Sequence, residues 1–176
     1  SQSKNIIEQN SQIKTNLEDL YMNWYHNSKE GFNHKSAIKI TKEKTILFCM
    51  DLYPGTMTKP QTKVIWNQKA VLKGDYYRGF WLLDIVESGT FEIRLRRWPE
   101  TINYSIFKQG KKFNELHIKK AQLVVDGNVI KKEITSFVEE IVFEVNFKKG
   151  QQPFQAEFID INDEAFSAYY VYIKKK

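Results

Sequence analysis

The residues best placed to do chemistry are Arg94, Arg96, Arg97 and Trp98. Arg94 and Arg96 alternate with Ile93 and Leu95, so they share one strand face about 7 Å apart. Such a pair offers fork-shaped donors that fit a sulfate or a carboxylate. Trp98 beside them could stack on a sugar ring or on a guanidinium. The competing reading is a structural network of arginines and acids that pins the strand end, and a stretch closing in Trp-Pro-Glu suits that buried corner better. Arg97 falls where the next core residue belongs. A buried charge needs a partner, and Glu100 and Asp84 are the candidates. Trp66 and Tyr77 are candidate surface platforms for a sugar, while Trp81, Leu83 and Ile85 point into the core.

Other constellations are weaker. Asp160-Ile161-Asn162-Asp163-Glu164 opens like a calcium loop, but Ala165 stands where the sharp-turn glycine belongs and Val171 where the bidentate glutamate does. A plain turn is the favoured reading. His26, His34 and His117 lack metal spacing, and Cys49 reads as a buried thiol within a strand. No nucleophile-elbow, zincin, phosphate-loop or dinucleotide fingerprint occurs. Hence no catalytic residue, metal ligand or cofactor is assigned.

The positioning elements are mostly strands. At 176 residues the chain can bury roughly 70% of its unfolded surface without disulfides, and its one cysteine forms none within the chain. Aromatic residues make up 14% of the chain, which suits pleated, half-buried surfaces. The net charge of +6 favours acidic partners, although lysines scattered through loops serve solubility as well. No apolar run approaches the ~20 residues of a membrane span, and Ser1 is not a natural start, so the chain reads as a processed product or a fragment.

Residues 4–28 predict one helix with Ile6, Ile13, Leu17, Leu20, Tyr21 and Trp24 on one face, Ser3 as N-cap and Gly31 just past the end. Strand patterns then follow: a hairpin of Ala37–Thr41 with Thr45–Met50, then Val64–Leu72, Tyr76–Val86, Thr90–Trp98 and a short Ile102–Phe107. A hairpin of Leu116–Val125 with Val129–Ile134 turns on Asp126-Gly127-Asn128. Ile141–Phe147, Phe154–Asp160 and Ala168–Lys174 close the chain. About ten short strands with turns between them predict a mainly β protein: an antiparallel β-sandwich over 31–176, with one N-terminal α-helix over 1–30 packing on it.

The run from Gly79 to Glu100 resembles part of the C-terminal domain of bacterial arylsulfatases, of the formylglycine sulfatase family. Gly79, Trp81, Gly89, Phe91, Leu95, Arg96, Arg97, Trp98 and Pro99 match its pattern, while Glu100 sits one place before the usual acid and Thr101 takes that acid's place. The segments Leu17–Tyr25, Gly150–Asp160 and Ala168–Ile173 are similar to the helix and last strands of that domain. The resemblance implies a non-catalytic accessory domain, exported to the periplasm or beyond. Its partner would be an N-terminal sulfatase catalytic domain that this chain does not contain, since Cys49-Met50-Asp51-Leu52-Tyr53 lacks the proline and arginine of the formylglycine motif. The alternative is a free-standing carbohydrate-binding module for acidic or sulfated glycans. Neither reading calls for nucleic acid, a membrane or a cofactor.

Overall fold

The computed structural model describes residues 7–33, 36–55, 65, 67–107, 114–135 and 137–176. It divides into two compact units, Ser1–Ser36 and Ala37–Lys176.

The first unit is a helix, α1 (Ser11–Asn33), entered through a 3-10 turn at Ile7–Asn10. Such turns are common at helix starts. The helix therefore begins later than the pattern predicts and runs through Gly31, a residue whose cost of roughly 1 kcal/mol a long helix absorbs. Ser3 lies outside the described residues. Ile13, Leu17, Leu20, Tyr21 and Trp24 form the apolar stripe, with Tyr21 and Trp24 in ring contact at 5.7 Å, and all five are exposed.

The second unit is a β-sandwich. Its strands are β1 (Ile38–Ile40), β2 (Thr45–Phe48), β3 (Tyr53–Pro54), β4 (Gly79–Ile85), β5 (Gly89–Arg96), β6 (Ile118–Val125), β7 (Asn128–Glu133), β8 (Glu140–Phe147), β9 (Gly150–Asp160), β10 (Ala165–Ser167) and β11 (Tyr170–Lys175). One sheet has the order β1-β4-β9-β6-β7, with β3 added to β4 and β10 to β9; the other has the order β2-β11-β5-β8. All pairings are antiparallel except β1 with β4. Alternation decides which residues face inward. Trp81, Leu83 and Ile85 of β4 and Phe154, Ala156 and Phe158 of β9 meet Phe91, Ile93 and Leu95 of β5 and Phe143, Val145 and Phe147 of β8 in one core. Phe147 and Phe154 join the sheets edge to face at 5.9 Å. The fold class is thus the one the strand count predicts.

Four local expectations need correction. Ile38–Ile40 and Thr45–Phe48 do not form a hairpin: β1 runs parallel to β4, with Ile40 opposite Ile85, while β2 lies beside β11 in the other sheet, with Leu47 opposite Val171. Alternation specifies a strand without naming its partner, and Thr41–Lys44 carries the chain across the sandwich. The expected strand Val64–Leu72 gives way to a short helix, α2 (Gln68–Lys73). Asn67 caps its start, its side-chain oxygen accepting from the Ala70 amide at 3.2 Å. Gly74 ends it at φ +70°, the left-handed geometry of a helix terminus. Ile102–Phe107 is irregular, although Ile106 is buried. Cys49 opens a 3-10 turn, Cys49–Asp51, instead of continuing β2; it is buried, and burial raises its thiol pKa. By contrast, β6 and β7 form the predicted hairpin. Asp126 and Gly127 sit at φ 49° and 75°, the positive values that a two-residue type I′ turn requires.

Candidate functional site

The arginine corner is closed. At the end of β5, Arg94 is paired with Glu100 at 2.9 Å, with Lys44 on the same carboxylate and the Tyr172 ring 5.2 Å from the guanidinium. Arg96 is buried; it donates to Glu140 at 2.7 Å and to the carbonyls of Ile102 and Trp98 at 2.9 and 3.2 Å. Arg97 is 0% exposed, and neither Glu100 nor Asp84 is its partner. It donates instead to four carbonyls, those of Asn114, Phe107, Leu72 and Val71, at 2.9–3.4 Å. Two of these belong to the last turn of α2, where a cation offsets the negative end of the helix dipole. Burial lowers the Arg97 pKa, and its Nε has no hydrogen-bond partner among the described residues. The Trp98 ring lies 4.7 Å from the Arg97 guanidinium. Trp98 is itself buried and donates to the Ser105 carbonyl at 2.9 Å, so its faces offer no platform to a ligand.

The proposed aromatic platforms fare similarly. Tyr77 is not on the surface: it is buried, its hydroxyl donates to the Ala168 carbonyl at 3.1 Å, and burial holds its pKa well above the usual phenol value. Trp66 lies outside the described residues. The acidic turn is a plain turn, in which the Asp160 carboxylate accepts from the amides of Asn162 and Glu164 at 2.9 and 2.8 Å. No group of three or more metal-ligating side chains occurs among the described residues.

Sequence reading missed two features. One is a fully buried acid, Glu157, on the face of β9 opposite Phe154, Ala156 and Phe158. Arg78 grips it with Nε and Nη2 at 2.6 and 3.0 Å, and the amides of Gln122 and Gln155 donate to it at 2.5 and 3.3 Å. The carboxylate raises the Arg78 pKa. This buried charge is paired and saturated with donors, as it must be to be tolerated. The signal was Gln155 and Glu157 alternating with core residues, a pattern that an exposed face shows equally well.

The other is a cleft of about 340 Å³ at the open side of the sandwich, where edge strands β7 and β8 lie on different sheets. Its floor is apolar: Val125, Ile130 and Val145. Around it stand Asp126, Asn128, Glu144, Asn146, Lys148 and Gln152. Cross-strand register explains how amides reach the interior side. Asn128 pairs with Val125 and Gln152 pairs with Leu83, and paired residues share a face. The Gln152 Nε2 is buried and has no hydrogen-bond partner among the described residues. Glu144 is ion-paired with Lys176, and Asn146 accepts from the Thr90 hydroxyl at 2.6 Å. Among the described residues the lining has no aromatic ring, histidine or cysteine.

No known family profile matches the chain, and no curated protein matches it. Among solved structures it overlaps a CBM35 module of Cellvibrio japonicus Abf62 over 74% of this chain and 92% of that one, at 10% identity and a TM-score of 0.38. It also overlaps a GH26-CBM35 β-(1,4)-mannanase of Podospora anserina over 77% of this chain, at 9% identity and a TM-score of 0.42, and the YxiM protein of Bacillus subtilis over 56%, at 15% identity and a TM-score of 0.35. The overlap spans only 28% and 22% of the last two proteins. At these identities and TM-scores the overlaps assign this chain neither a family nor a ligand.

Proposed function

We propose that this chain is a non-catalytic carbohydrate-binding domain and that the edge cleft is where it holds its ligand. The carrying observation is the lining itself: the Asp126 carboxylate and the Asn128 and Gln152 amides beside Val125, Ile130 and Val145, with the buried Gln152 Nε2 lacking an acceptor among the described residues. A sugar matches that arrangement. Each hydroxyl both donates and accepts, adjacent hydroxyls meet the two-pronged edge of a carboxylate or amide, and the C–H faces of the ring lie against aliphatic side chains. Specificity in such a site comes from a few placed polar groups. The single cysteine, its thiol raised by burial, is poorly suited to nucleophilic work. A glycan ligand fits a periplasmic or extracellular setting. An accessory role in a sulfatase stays a proposal resting on the resemblance of Gly79–Glu100; no contact in the corner favours it over a purely structural task.

A glycan array probed with the full chain tests the proposal. Wild-type protein is expected to retain at least one glycan class. An Asp126→Ala/Asn128→Ala variant should lose that binding by tenfold or more, with two polar contacts removed at roughly 1 kcal/mol each. Arg94→Ala should keep it. An array on which the wild type retains nothing overturns the proposal.

A further inference from the structure

We infer that the cleft takes the terminal one or two units of a neutral glycan, end-on at the two edge strands, and that Gln152 in its lining is the specificity-determining residue. This rests on the carbohydrate-binding reading and narrows it in three ways.

The first is access. Further along the same two edge strands, Lys132 of β7 donates to the Val142 carbonyl of β8 and stands 5.3 Å from the Phe143 ring. That bridge links the two edge strands beyond the cleft and marks its inner limit along them. The volume, about 340 Å³, is that of about eleven waters at ~30 Å³ each, room for one or two sugar units but not for a longer run. With no ring among the described lining residues, the cleft offers no stacking track for a longer chain.

The second is charge. Lys148 is the one cation of the lining among the described residues, against Asp126 and Glu144. Glu144 is already neutralised by Lys176, and Asp126 has no ion-pair partner among the described residues. Arg94, Arg96 and Arg97, which could have clamped a sulfate, are engaged with acids and carbonyls at the other end of β8. The cleft thus offers the Asp126 carboxylate and two amides to hydroxyls, with Lys148 balancing Asp126 and no arginine fork among the described lining residues to hold a sulfate or a uronate.

The third is the unpaired amide of Gln152. A buried amide donor without an acceptor destabilises the fold by its lost hydration. A ligand hydroxyl or ring oxygen would supply that acceptor. If packing alone were the purpose, leucine would fill the same volume without the cost. Gln152→Leu should therefore raise stability or leave it unchanged, and weaken binding by about fivefold or more. A merely structural role predicts the opposite sign for stability.

The test is a titration of the isotope-labelled full chain, following the side-chain amide signals of Gln152 and Asn128. The probes are the methyl glycosides of mannose, galactose, glucose and xylose, with glucuronate and a sulfated disaccharide as the acidic arm. Thermal melts and titrations of Gln152→Leu run beside it. The inference expects a neutral glycoside to shift the Gln152 amide, the acidic probes to bind more weakly, and the variant to lose affinity without melting earlier. It is overturned by tighter binding of the acidic probes, by sugar-induced shifts that spare Gln152, or by a variant that melts below wild type. Binding of glycans at another surface would sink this inference alone; no response to any probe, together with an empty array, would sink the carbohydrate reading itself.

Discussion

Two regions at opposite ends of β8 put polar residues to contrary uses. At the Glu140 end, Arg94, Arg96 and Arg97 are conspicuous, and nearly every donor they carry is spent on an acid or a carbonyl of the same chain. At the Asn146 end the polar groups are ordinary amides and acids, and one of them, Gln152, is left without a partner among the described residues. The contrast teaches that charge density in a sequence does not locate a binding site. A charged guanidinium cannot enter a core unless the fold satisfies it, so an arginine on the inner side of a strand comes with a network already built. Availability shows instead where an unsatisfied group borders open space: the Arg97 Nε also lacks a partner among the described residues but is sealed in the core, whereas the Gln152 Nε2 lies in the cleft lining.

The sharpest way to break this contrast is to remove Arg97. Arg97→Ala leaves four carbonyls without their shared donor and a cavity where the guanidinium lay. Orphaned buried acceptors and an unfilled cavity together predict a loss of about 3–5 kcal/mol, read as a fall in the denaturant midpoint. Arg97→Met, which refills part of the volume, should recover some of it. If Arg97→Ala unfolds within 1 kcal/mol of wild type, on the order of one net hydrogen bond, the corner is not a structural clamp and its arginines are again open to a ligand.

A pair of glycines sharpens the comparison, because each region turns on one held at positive φ. At Gly74, which ends α2 beside Arg97, an added Cβ would lie 2.6 Å from Leu116 Cδ2 and 3.3 Å from an Arg97 nitrogen. At Gly127, in the turn bordering the cleft, it would meet nothing within 4 Å. Gly127→Ala should therefore cost only the left-handed backbone term, about 1–2 kcal/mol. Gly74→Ala should add an overpacking penalty and reach about 3 kcal/mol. Thermal melts of the two variants decide it: equal costs would mean that the corner gives as easily as the open turn. Of the two, only Gly127→Ala should also weaken glycan binding, since it displaces Asp126 and Asn128.

How much of this was legible beforehand follows the range of each signal. Alternation in Phe91–Leu95 and Ile141–Phe147 fixed which residues are inside, and Asp126-Gly127 fixed a hairpin, because both signals are complete within a few residues. Asn67 and Gly74 bracket α2 with local signals as well, but the apolar residues between them read as a strand. Pairing was not legible: nothing in Ile38–Ile40 says that its neighbour is Leu83–Ile85, some forty residues on. The corner's structural task was readable from Trp-Pro-Glu, but its partners were not, since Arg97 is satisfied by backbone carbonyls, which every residue carries. The cleft was illegible for the same reason. Asn128 and Gln152 become neighbours only through the sheet order β9-β6-β7, and an unpaired amide cannot be seen before its surroundings exist.

The smallest expected effect concerns acid, and it probes the exposed rim of the corner. Lys44, with Arg94 beside it, holds the Glu100 carboxyl below its ordinary value of 4.5. A carboxylate whose pKa is depressed by folding stabilises the native state above the unfolded pKa, and that contribution disappears as pH falls through the folded one. The loss should therefore begin below about pH 4.5 and grow toward lower pH, with no change between neutrality and pH 6. Glu100 is partly open to solvent, with its side chain 28% exposed, so screening limits the contribution to a few tenths of a kcal/mol. Comparing denaturant midpoints of wild type and Glu100→Gln from pH 7 to pH 3 isolates it: the two curves should converge as pH falls, and 1 M salt should shrink the gap at pH 7. A gap that stays constant through pH 3 would mean that the Glu100 hydrogen bonds, rather than its charge, secure the rim. The neutral variant would then show the corner to be held throughout by donor satisfaction, as it is at Arg97.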